Sequence, residues 1–394
     1  MRKIKIGELK KHIELFDDAH VPLMIYGTFG IGKSDIVKRS AEEKSQKHAD
    51  RTYLDWMATA DDVKLDALKN PGKYFAFIDI RLSQMEPSDI RGIPNIFNSQ
   101  EIPYLQTIPW SWVMYITRPE ACGTLFLDEI NLAAPQIAAS AYQIINDRVI
   151  SDRNISPGIN IVAAGNTARD TDIVYDMPNP LKDRFAELEI SFDSKAWLEE
   201  WAAKNCHPMI YSFCTFKESW IHHLSENDTD KHVTPRGIER ASKIFNKFMD
   251  TSDKFSPFLF DAIAACVGDA WTVQFKAYIN IRQKLDFDKI LENPESVTND
   301  ANYNTDQRYA IIGACTERVF ELLNNERQDQ QSKAKKIANI LKIILYLPSN
   351  LFVLAWKQFK AHNTHKDVYK ILEGDKSCVN LLLTRHKNVI NKII

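Results

Sequence analysis

The stretch that decides the fold of this chain reads Gly27-Thr28-Phe29-Gly30-Ile31-Gly32-Lys33-Ser34. An apolar run at 21–26 precedes it and is typical of a buried β-strand, and the run 35–42 after it is typical of a helix. Glycines in such a turn let backbone N–H groups approach phosphate oxygens, because no Cβ atom blocks them. The spacing predicts a phosphate-binding loop in which Lys33 reaches the β- and γ-phosphates and Ser34 holds Mg²⁺.

Length and composition limit the class of protein. The 394 residues are 44% hydrophobic and 26% charged, which predicts a soluble globular chain of two or three domains. The formal net charge of −2 gives no global attraction to nucleic acid or to an anionic membrane. Six cysteines without metal-binding spacing predict reduced core residues and a cytoplasmic protein. Lys342 and Pro348 interrupt the apolar segment 337–356, so we expect two buried helices there and no membrane span.

Strand and helix patterns alternate through the first half of the chain. Apolar or alternating runs predict five strands, at 21–26, 75–82, 124–129, 159–164 and 186–190. Helical patterns between these runs predict a parallel sheet that is covered on both faces. Proline-containing segments on either side of 98–101 predict a hairpin near 93–105. Strand patterns stop after Ser191, so the remainder is predicted to be helical.

Two acids end a fully apolar predicted strand. The run Leu125-Phe126-Leu127 favours a central position in the sheet, and its carboxyl end then places Asp128 beside the Mg²⁺ of a bound nucleotide. Glu129 follows directly and is placed to polarise the water that attacks the γ-phosphate. Two solvated acids at a strand end are the alternative interpretation, which the upstream phosphate-binding loop disfavours.

Asn166 ends another apolar strand, at the edge where open α/β sheets bind ligands. Its amide can orient water against the γ-phosphate, and a simple turn-forming asparagine is the alternative. Arg184, within 178–185, comes just before the last predicted strand. It is either a local partner of Asp183 or an arginine finger that reaches the γ-phosphate of a neighbouring subunit.

Arg236 follows Thr234 and Pro235, which predict the N-cap and the first residue of a helix. A cation in the first turn of a helix is locally unfavourable, by a few tenths of a kcal/mol. A bound phosphate would compensate for that cost, and a surface salt bridge is the alternative. We favour the phosphate, which makes Arg236 a candidate site residue.

Taken in order, these residues resemble an AAA+ ATPase over about residues 1–250. They match Walker A (27–34), Walker B (125–129), sensor 1 (Asn166), the arginine finger (Arg184) and sensor 2 (Arg236). The resemblance implies that ATP and Mg²⁺ are bound. It implies nucleotide contacts from Gly27, Thr28, Phe29, Gly30, Ile31, Gly32, Lys33, Ser34 and Asp128, metal ligation by Ser34 and Asp128, and catalytic roles for Glu129, Asn166, Arg184 and Arg236.

Two details resemble the MoxR branch in the helix-2-insert clade. One is the gap of about 94 residues between Ser34 and Asp128, which holds the hairpin. The other is the run 128–133 followed by a helix that begins at Pro135. This likeness implies an α/β P-loop core with a parallel five-stranded sheet over 1–192, a helical lid over 193–250 and a helical C-terminal extension over 251–394.

The MoxR resemblance also implies assembly and a partner. It implies a homo-oligomeric ring, usually a hexamer, that binds ATP between subunits and remodels a protein, often one with a von Willebrand factor A domain. The chain departs from the pattern at Thr28-Phe29, where MoxR proteins frequently have Pro-Pro. The helical region after about residue 250 is also longer than a minimal MoxR lid.

Other functions fit parts of the pattern. A nucleic-acid motor is disfavoured because the hairpin tip at 98–101 holds no Lys or Arg to meet a phosphate backbone. Lys333, Lys335, Lys336 and Lys342 are predicted to form a solvated helix face. A metal-chelatase subunit stays open, and an isolated nucleotide kinase is disfavoured because Arg184 and Arg236 fit a site between subunits. We therefore expect a protein partner in preference to nucleic acid, and no membrane.

Overall fold

The computed structural model describes residues 2–48, 50–99, 102–167, 182–225, 230–249, 255–299, 301–324 and 329–389. The chain divides into two compact units, 1–193 and 194–394. Within the described ranges, no helix is both long and apolar enough to cross a membrane. The predicted three-part division at residues 192 and 250 stays a prediction.

A seven-stranded sheet forms the centre of the first unit. Its strands lie in the order β1-β11-β2-β10-β7-β4-β3, and every neighbouring pair is parallel. Their bounds are β1 (Arg2–Lys5), β2 (Leu23–Gly27), β3 (Thr52–Asp55), β4 (Tyr74–Arg81), β7 (Cys122–Asp128), β10 (Ile159–Gly165) and β11 (Ala186–Ser191). All five predicted strands are present, and β1 and β3 extend the sheet at its two edges.

Helices cover both faces of this sheet. Helix α1 (Leu9–Asp18) and helix α2 (Lys33–Lys47) enclose one apolar layer, which includes Leu9, Val37 and Phe126. The opposite layer is enclosed by α3 (Asp61–Lys69), α5 (Ser111–Ile116) and α6 (Pro135–Asn146). A short helix, α4 (Pro87–Arg91), precedes the hairpin. Because both faces are buried, the central strands are apolar throughout, as parallel sheets require.

The predicted hairpin is present and lies outside the central sheet. Strands β5 (Ile93–Ser99) and β6 (Ile102–Ile108) pair antiparallel, with Ile93 opposite Ile108 and Ile96 opposite Leu105. A second, shorter pair is formed by β8 (Val149–Ile150) and β9 (Arg153–Asn154). The tip of the hairpin, at 100–101, lies outside the described residues.

The second unit is helical. Helix α7 runs from Ser194 to Asn205 with a π-helical centre at Trp197–Ala202. It is followed by α8 (Pro208–Phe216), α9 (Pro235–Met249), α10 (Pro257–Val267), α11 (Asp269–Gln283), α12 (Phe287–Glu292) and α13 (Thr305–Asn324). The last four are α14 (Gln330–Tyr346), α15 (Ser349–Ala361), α16 (His365–Gly374) and α17 (Lys376–Arg385). The predicted break at Pro348 is confirmed, because α14 ends before it and α15 begins after it.

The strand order explains how the chain builds a ligand-binding edge. Strand β2 lies between β11 and β10. The chain leaves β2 toward β3 at one side of the sheet, and later crosses from β10 to β11 on the other side of β2. Open α/β sheets bind ligands outside the carboxyl ends of their strands at such a point. The segment that follows β2 is the glycine-rich loop. The predicted fold class is confirmed: an α/β P-loop fold with a parallel sheet, which has seven strands where five were predicted, followed by an all-helical part.

Candidate active site

The glycine-rich loop connects β2 directly to α2. Gly30 and Gly32 have φ angles of 73° and 97°, in the left-handed region where residues with a Cβ are strained. Gly32 is the N-cap of α2, so Lys33 and Ser34 begin the helix. This arrangement places the free N–H groups of the first helical turn at the loop, where they form a site of positive potential for an anion.

The ammonium group of Lys33 is held inside the loop. Lys33 is only 7% exposed, and its Nζ donates hydrogen bonds to the carbonyl oxygens of Gly27 (2.5 Å) and Thr28 (3.0 Å). It also donates to Oδ1 of Asn166 at 3.3 Å. Asn166 follows β10, so this bond ties the loop to the neighbouring strand. The structure thereby brings together two residues that the sequence predicts for one site.

Ser34 and Asp128 form the second contact across the site. The hydroxyl of Ser34 donates to Oδ2 of Asp128 at 2.9 Å, although 94 residues separate them. A hydroxyl oxygen and a carboxylate oxygen are the hard ligands that Mg²⁺ takes in nucleotide sites, where it keeps several water molecules. The donor set of this pair therefore fits the metal that the sequence predicts.

Glu129 adopts an unusual backbone conformation. Its φ of 57° and ψ of 34° are left-handed, which is uncommon for a residue other than glycine and often marks a functional turn. Its N–H donates to Oδ1 of Asp128 at 2.9 Å, and its carboxylate accepts a hydrogen bond from the hydroxyl of Ser83. Ser83 follows β4, so the predicted catalytic acid is held against a neighbouring strand end.

A pair of asparagines fixes the position of Asn166. The side chain of Asn131 donates to the carbonyl oxygen of Asn166 at 2.7 Å and accepts from its N–H at 3.1 Å. Asn131 is 4% exposed, so this reciprocal pair satisfies a buried amide. Gly165 leaves room for it, because a Cβ at that position would lie 2.5 Å from Oδ1 of Asn131.

A third carboxylate lies on the same side of the sheet. Asp79 belongs to β4, and burial, followed by the charge of Asp128, raises its pKa to about 6. Its Oδ1 is buried and has no hydrogen-bond partner among the described residues. Asp79 therefore takes up a proton at a higher pH than an ordinary carboxyl group, which limits the negative charge at this edge as the pH falls toward 6.

The two predicted arginines belong to other segments of the chain. Arg184 is exposed and comes just before β11, where Ala186 is opposite Leu23 and Ile190 is opposite Gly27. At the usual rise per residue, about 13 Å of β11 separates Ala186 from Ile190. Arg184 therefore lies near the amino ends of the parallel strands, whereas the glycine-rich loop of its own chain lies at their carboxyl ends. Residues 178–181 of its motif lie outside the described residues.

Arg236 is exposed in the first turn of α9, in the second unit. Thr234 accepts a hydrogen bond from the N–H of Gly237 at 3.2 Å, as an N-cap residue does. The predicted capping of this helix is thus confirmed. The predicted role of Arg236 toward the nucleotide stays a prediction.

The sequence interpretation missed three residues of this site: Asp79, Ser83 and Asn131. Asp79 interrupts the apolar run 75–80, and an acid inside such a run indicates a site in retrospect. Asn131 is a polar residue between Ile130 and Leu132, which is a weaker indication. Nothing in the local sequence of Ser83 predicts its contact with Glu129, because the two residues lie on different strand ends.

Comparison with known proteins gives remote likenesses only. No protein-family model and no curated protein matches the sequence. Among solved structures, NtrX from Brucella abortus matches with 10% identity over 86% of this chain and 68% of that one, at a TM-score of 0.39. The ORC2 protein of Aeropyrum pernix, in ADPNP and ADP complexes, matches with 12% identity over 95% of this chain and 96% of that one, at a TM-score of 0.35. A RuvB mutant from Thermotoga maritima matches with 12% identity over 84% of this chain and 80% of that one, at a TM-score of 0.31.

The close approach at Gly165 leads to a stability prediction. Gly165→Ala should lower the free energy of unfolding by about 1–3 kcal/mol, because the new methyl group displaces the side chain of Asn131 and breaks its pair with Asn166. The matched control is Gly374→Ala at the end of α16, where an added Cβ meets nothing within 4 Å. Urea unfolding of both variants checks this, and equal midpoints for the two would contradict it.

Proposed function

We propose that this chain is an ATP-hydrolysing AAA+ ATPase of the MoxR type, which assembles into a ring and uses hydrolysis to remodel a partner protein. The observation that carries the proposal is the convergence of Lys33, Ser34, Asp128, Glu129 and Asn166 at one edge of the parallel sheet. Each of these residues has the chemical group that phosphoryl transfer to water requires.

The triphosphate is the ligand that fits the loop. The N–H groups at the start of α2 and the ammonium group of Lys33 present positive charge to phosphate oxygens. Lys33 would exchange its carbonyl partners for the β- and γ-phosphates of ATP. Ser34 and Asp128 would hold Mg²⁺, which neutralises charge that develops on the phosphates during transfer.

Glu129 and Asn166 would prepare the attacking water. The water oxygen forms a bond to the γ-phosphorus, the bond from phosphorus to the bridging oxygen breaks, and ADP leaves with that oxygen. The carboxylate of Glu129 accepts a hydrogen bond from the water, which orients it and takes up its proton. Ser83 bonds only one of the two carboxylate oxygens of Glu129, so the other oxygen can accept from the water.

The first prediction concerns Glu129. Glu129→Gln should retain ATP binding, because Lys33 and Ser34 are unchanged, and should lower turnover by about a hundredfold or more, because an amide cannot take up the proton. Fluorescent-nucleotide titration and phosphate release measure the two quantities. Ser45→Ala, on the same α2 helix but bonded only within it at 2.6 Å to Glu42, is the control that should keep both. Turnover near wild type would reject Glu129 as the base.

The position of Arg184 supports a site shared between subunits. Within the described residues its side chain makes no hydrogen bond or salt bridge, and it lies at the edge opposite the loop of its own chain. An arginine placed in this way would reach a nucleotide bound by the next copy and stabilise charge in the transition state. Closed rings built from one repeated contact provide such a neighbour for every subunit.

The second prediction tests this shared site by mixing. Arg184→Ala and Lys33→Ala should each abolish hydrolysis, the first through the missing cation and the second through lost nucleotide binding. A mixture of equal amounts should recover turnover, since about a quarter of random interfaces join an intact loop to an intact arginine. Phosphate release across a range of mixing ratios measures it. No recovery at any ratio would contradict the role between subunits.

The hairpin supports a protein as the partner. Ile93, Ile96, Leu105 and Ile108 are 57%, 68%, 73% and 49% exposed. Side chains alternate between the faces of a strand, so the pair of Ile96 and Leu105 and the pair of Ile93 and Ile108 lie on opposite faces. Apolar groups exposed on both faces are typical of a surface that another polypeptide covers.

The third prediction places a photo-crosslinking amino acid at Ile96 in the Glu129→Gln chain, which should hold ATP and its partner. Irradiation in producing cells should give protein adducts, identified by mass spectrometry, that disappear when Lys33→Ala is added. The control position is Leu15 on α1, which is similarly exposed at 63%. Adducts to nucleic acid, or a yield no higher than at Leu15, would contradict a protein partner at the hairpin.

A further inference from the structure

The C-terminal part of the second unit is strongly positive, although the net charge of the whole chain is slightly negative. Residues 330–394 contain twelve Lys and Arg residues and only three Asp and Glu residues, a formal charge of +9. The whole chain has a charge of −2, so the preceding residues carry −11. Such asymmetry within one chain is typical of a protein that binds a polyanion through one region.

Two helices without a single acid contribute to this charge. Helix α14 has Lys335, Lys336 and Asn339 exposed, with Lys342 and Tyr346 half-buried on the same stripe, and its opposite side is buried in the core. At 1.5 Å per residue, the stripe from 335 to 346 is about 17 Å long. A duplex of that length carries about ten phosphate charges, so the stripe is long enough to meet several of them.

Helix α17 lies along α14 and adds its own cations. At one end, Sγ of Cys378 contacts the carbonyl oxygen of Ala338, and Nζ of Lys342 is 3.2 Å from the carboxylate of Asp375. At the other end, the guanidinium of Arg385 donates to the carbonyl oxygen of Tyr346 at 3.2 Å and lies 5.4 Å from its ring centroid. The two helices therefore run side by side in the same direction.

These two helices and the residues just after them carry five exposed cations and the half-buried Lys342, and we call this set the basic seam: Lys335, Lys336, Lys342, Lys376, Arg385 and Lys387. Lys342 and Arg385 have structural partners, in Asp375 and in the end of α14. Lys335, Lys336, Lys376 and Lys387 are exposed and make no hydrogen bond or salt bridge within the described part of the chain. Their charges are thus available to a ligand.

The uncharged residues of the seam indicate which polyanion fits. Ser332, Asn339, Asn380, Thr384 and Asn388 are exposed on these helices or just after them. Hydroxyl and amide groups beside Lys and Arg are the donors that phosphate oxygens take in nucleic-acid complexes. A protein interface usually adds several apolar or aromatic anchors, and here Leu383 is the large apolar side chain that stands exposed, at 56%.

We propose that the basic seam is a nucleic-acid-binding surface, which holds the phosphate backbone and does not read the base sequence. The surface is made of helices of the second unit alone and uses no residue of the candidate active site. It would anchor the protein to nucleic acid, in contrast to a pore that pulls a strand. This inference therefore stands whether or not the chain hydrolyses ATP.

The test is fluorescence anisotropy of the full chain with mixed-sequence DNA duplex, single-stranded DNA and RNA, each about 30 nucleotides long, at about 50 and 200 mM salt. The wild type should bind, with affinity falling steeply with salt. The triple variant Lys335→Glu, Lys336→Glu and Lys387→Glu should lose at least about tenfold in affinity and show a shallower salt dependence. Lys33→Ala should bind as the wild type does, which separates this result from the proposed ATPase.

A matched control has the same change in net charge at another place. Lys11→Glu, Lys69→Glu and Lys204→Glu reverse three exposed lysines outside the seam and should leave affinity within about twofold. If the seam variant fails to fold in urea titration, the same positions changed to Gln keep the test valid. No binding by the wild type at low salt, an equal loss in the control, or displacement of DNA by polyglutamate at equal charge would overturn the proposal.

Discussion

The arrangement of the first unit depends on keeping the ammonium group of Lys33 inside the protein. A buried cation costs several kcal/mol unless hydrogen-bond acceptors surround it. The carbonyl groups of Gly27 and Thr28 accept its hydrogen bonds, in a loop whose Gly30 and Gly32 adopt left-handed conformations. Asn166 completes the set from another strand. One charge therefore constrains the loop, the start of α2 and the end of β10 together.

The parallel arrangement of the strands brings the site residues together, and it also brings carboxylates of like charge close to one another. All carboxyl ends lie at one edge, so Asp128 on β7 and Asp79 on β4 are brought close, as the register of these strands requires. Asp79 and Asp128 are half-buried and repel each other when both are ionised; burial and the charge of Asp128 raise the pKa of Asp79, so its protonation as the pH falls relieves part of that repulsion. A bound divalent cation would relieve it further.

Sequence reasoning succeeded where a pattern is continuous and failed where two distant segments meet. The five central strands were predictable because both of their faces are buried and apolar residues run without interruption. The edge strands β1 and β3 were missed, since Arg2–Lys5 and Thr52–Asp55 are four residues long and each has a single buried residue. Lys33, Ser34 and Asp128 were predictable from spacing. The contact of Ser83 with Glu129 depends on how β4 lies beside β7, which no local pattern contains.

The same limit explains why the basic residues of α14 first suggested only a solvated face. In isolation, Lys335 and Lys336 are two lysines on the outside of a helix, and such residues usually meet water alone. Their interpretation changes because α17 and the residues just after it, about 40 residues later, add Arg385 and Lys387, while the acid at the start of α17, Asp375, is paired with Lys342. The hairpin shows the opposite chemistry, with one charge in 93–108 and, among its described side chains, four exposed aliphatic ones. Salt screens the charges of the basic seam and leaves apolar contacts of the hairpin largely unaffected. Binding at the two surfaces therefore responds differently to salt, and the two surfaces need not share a ligand.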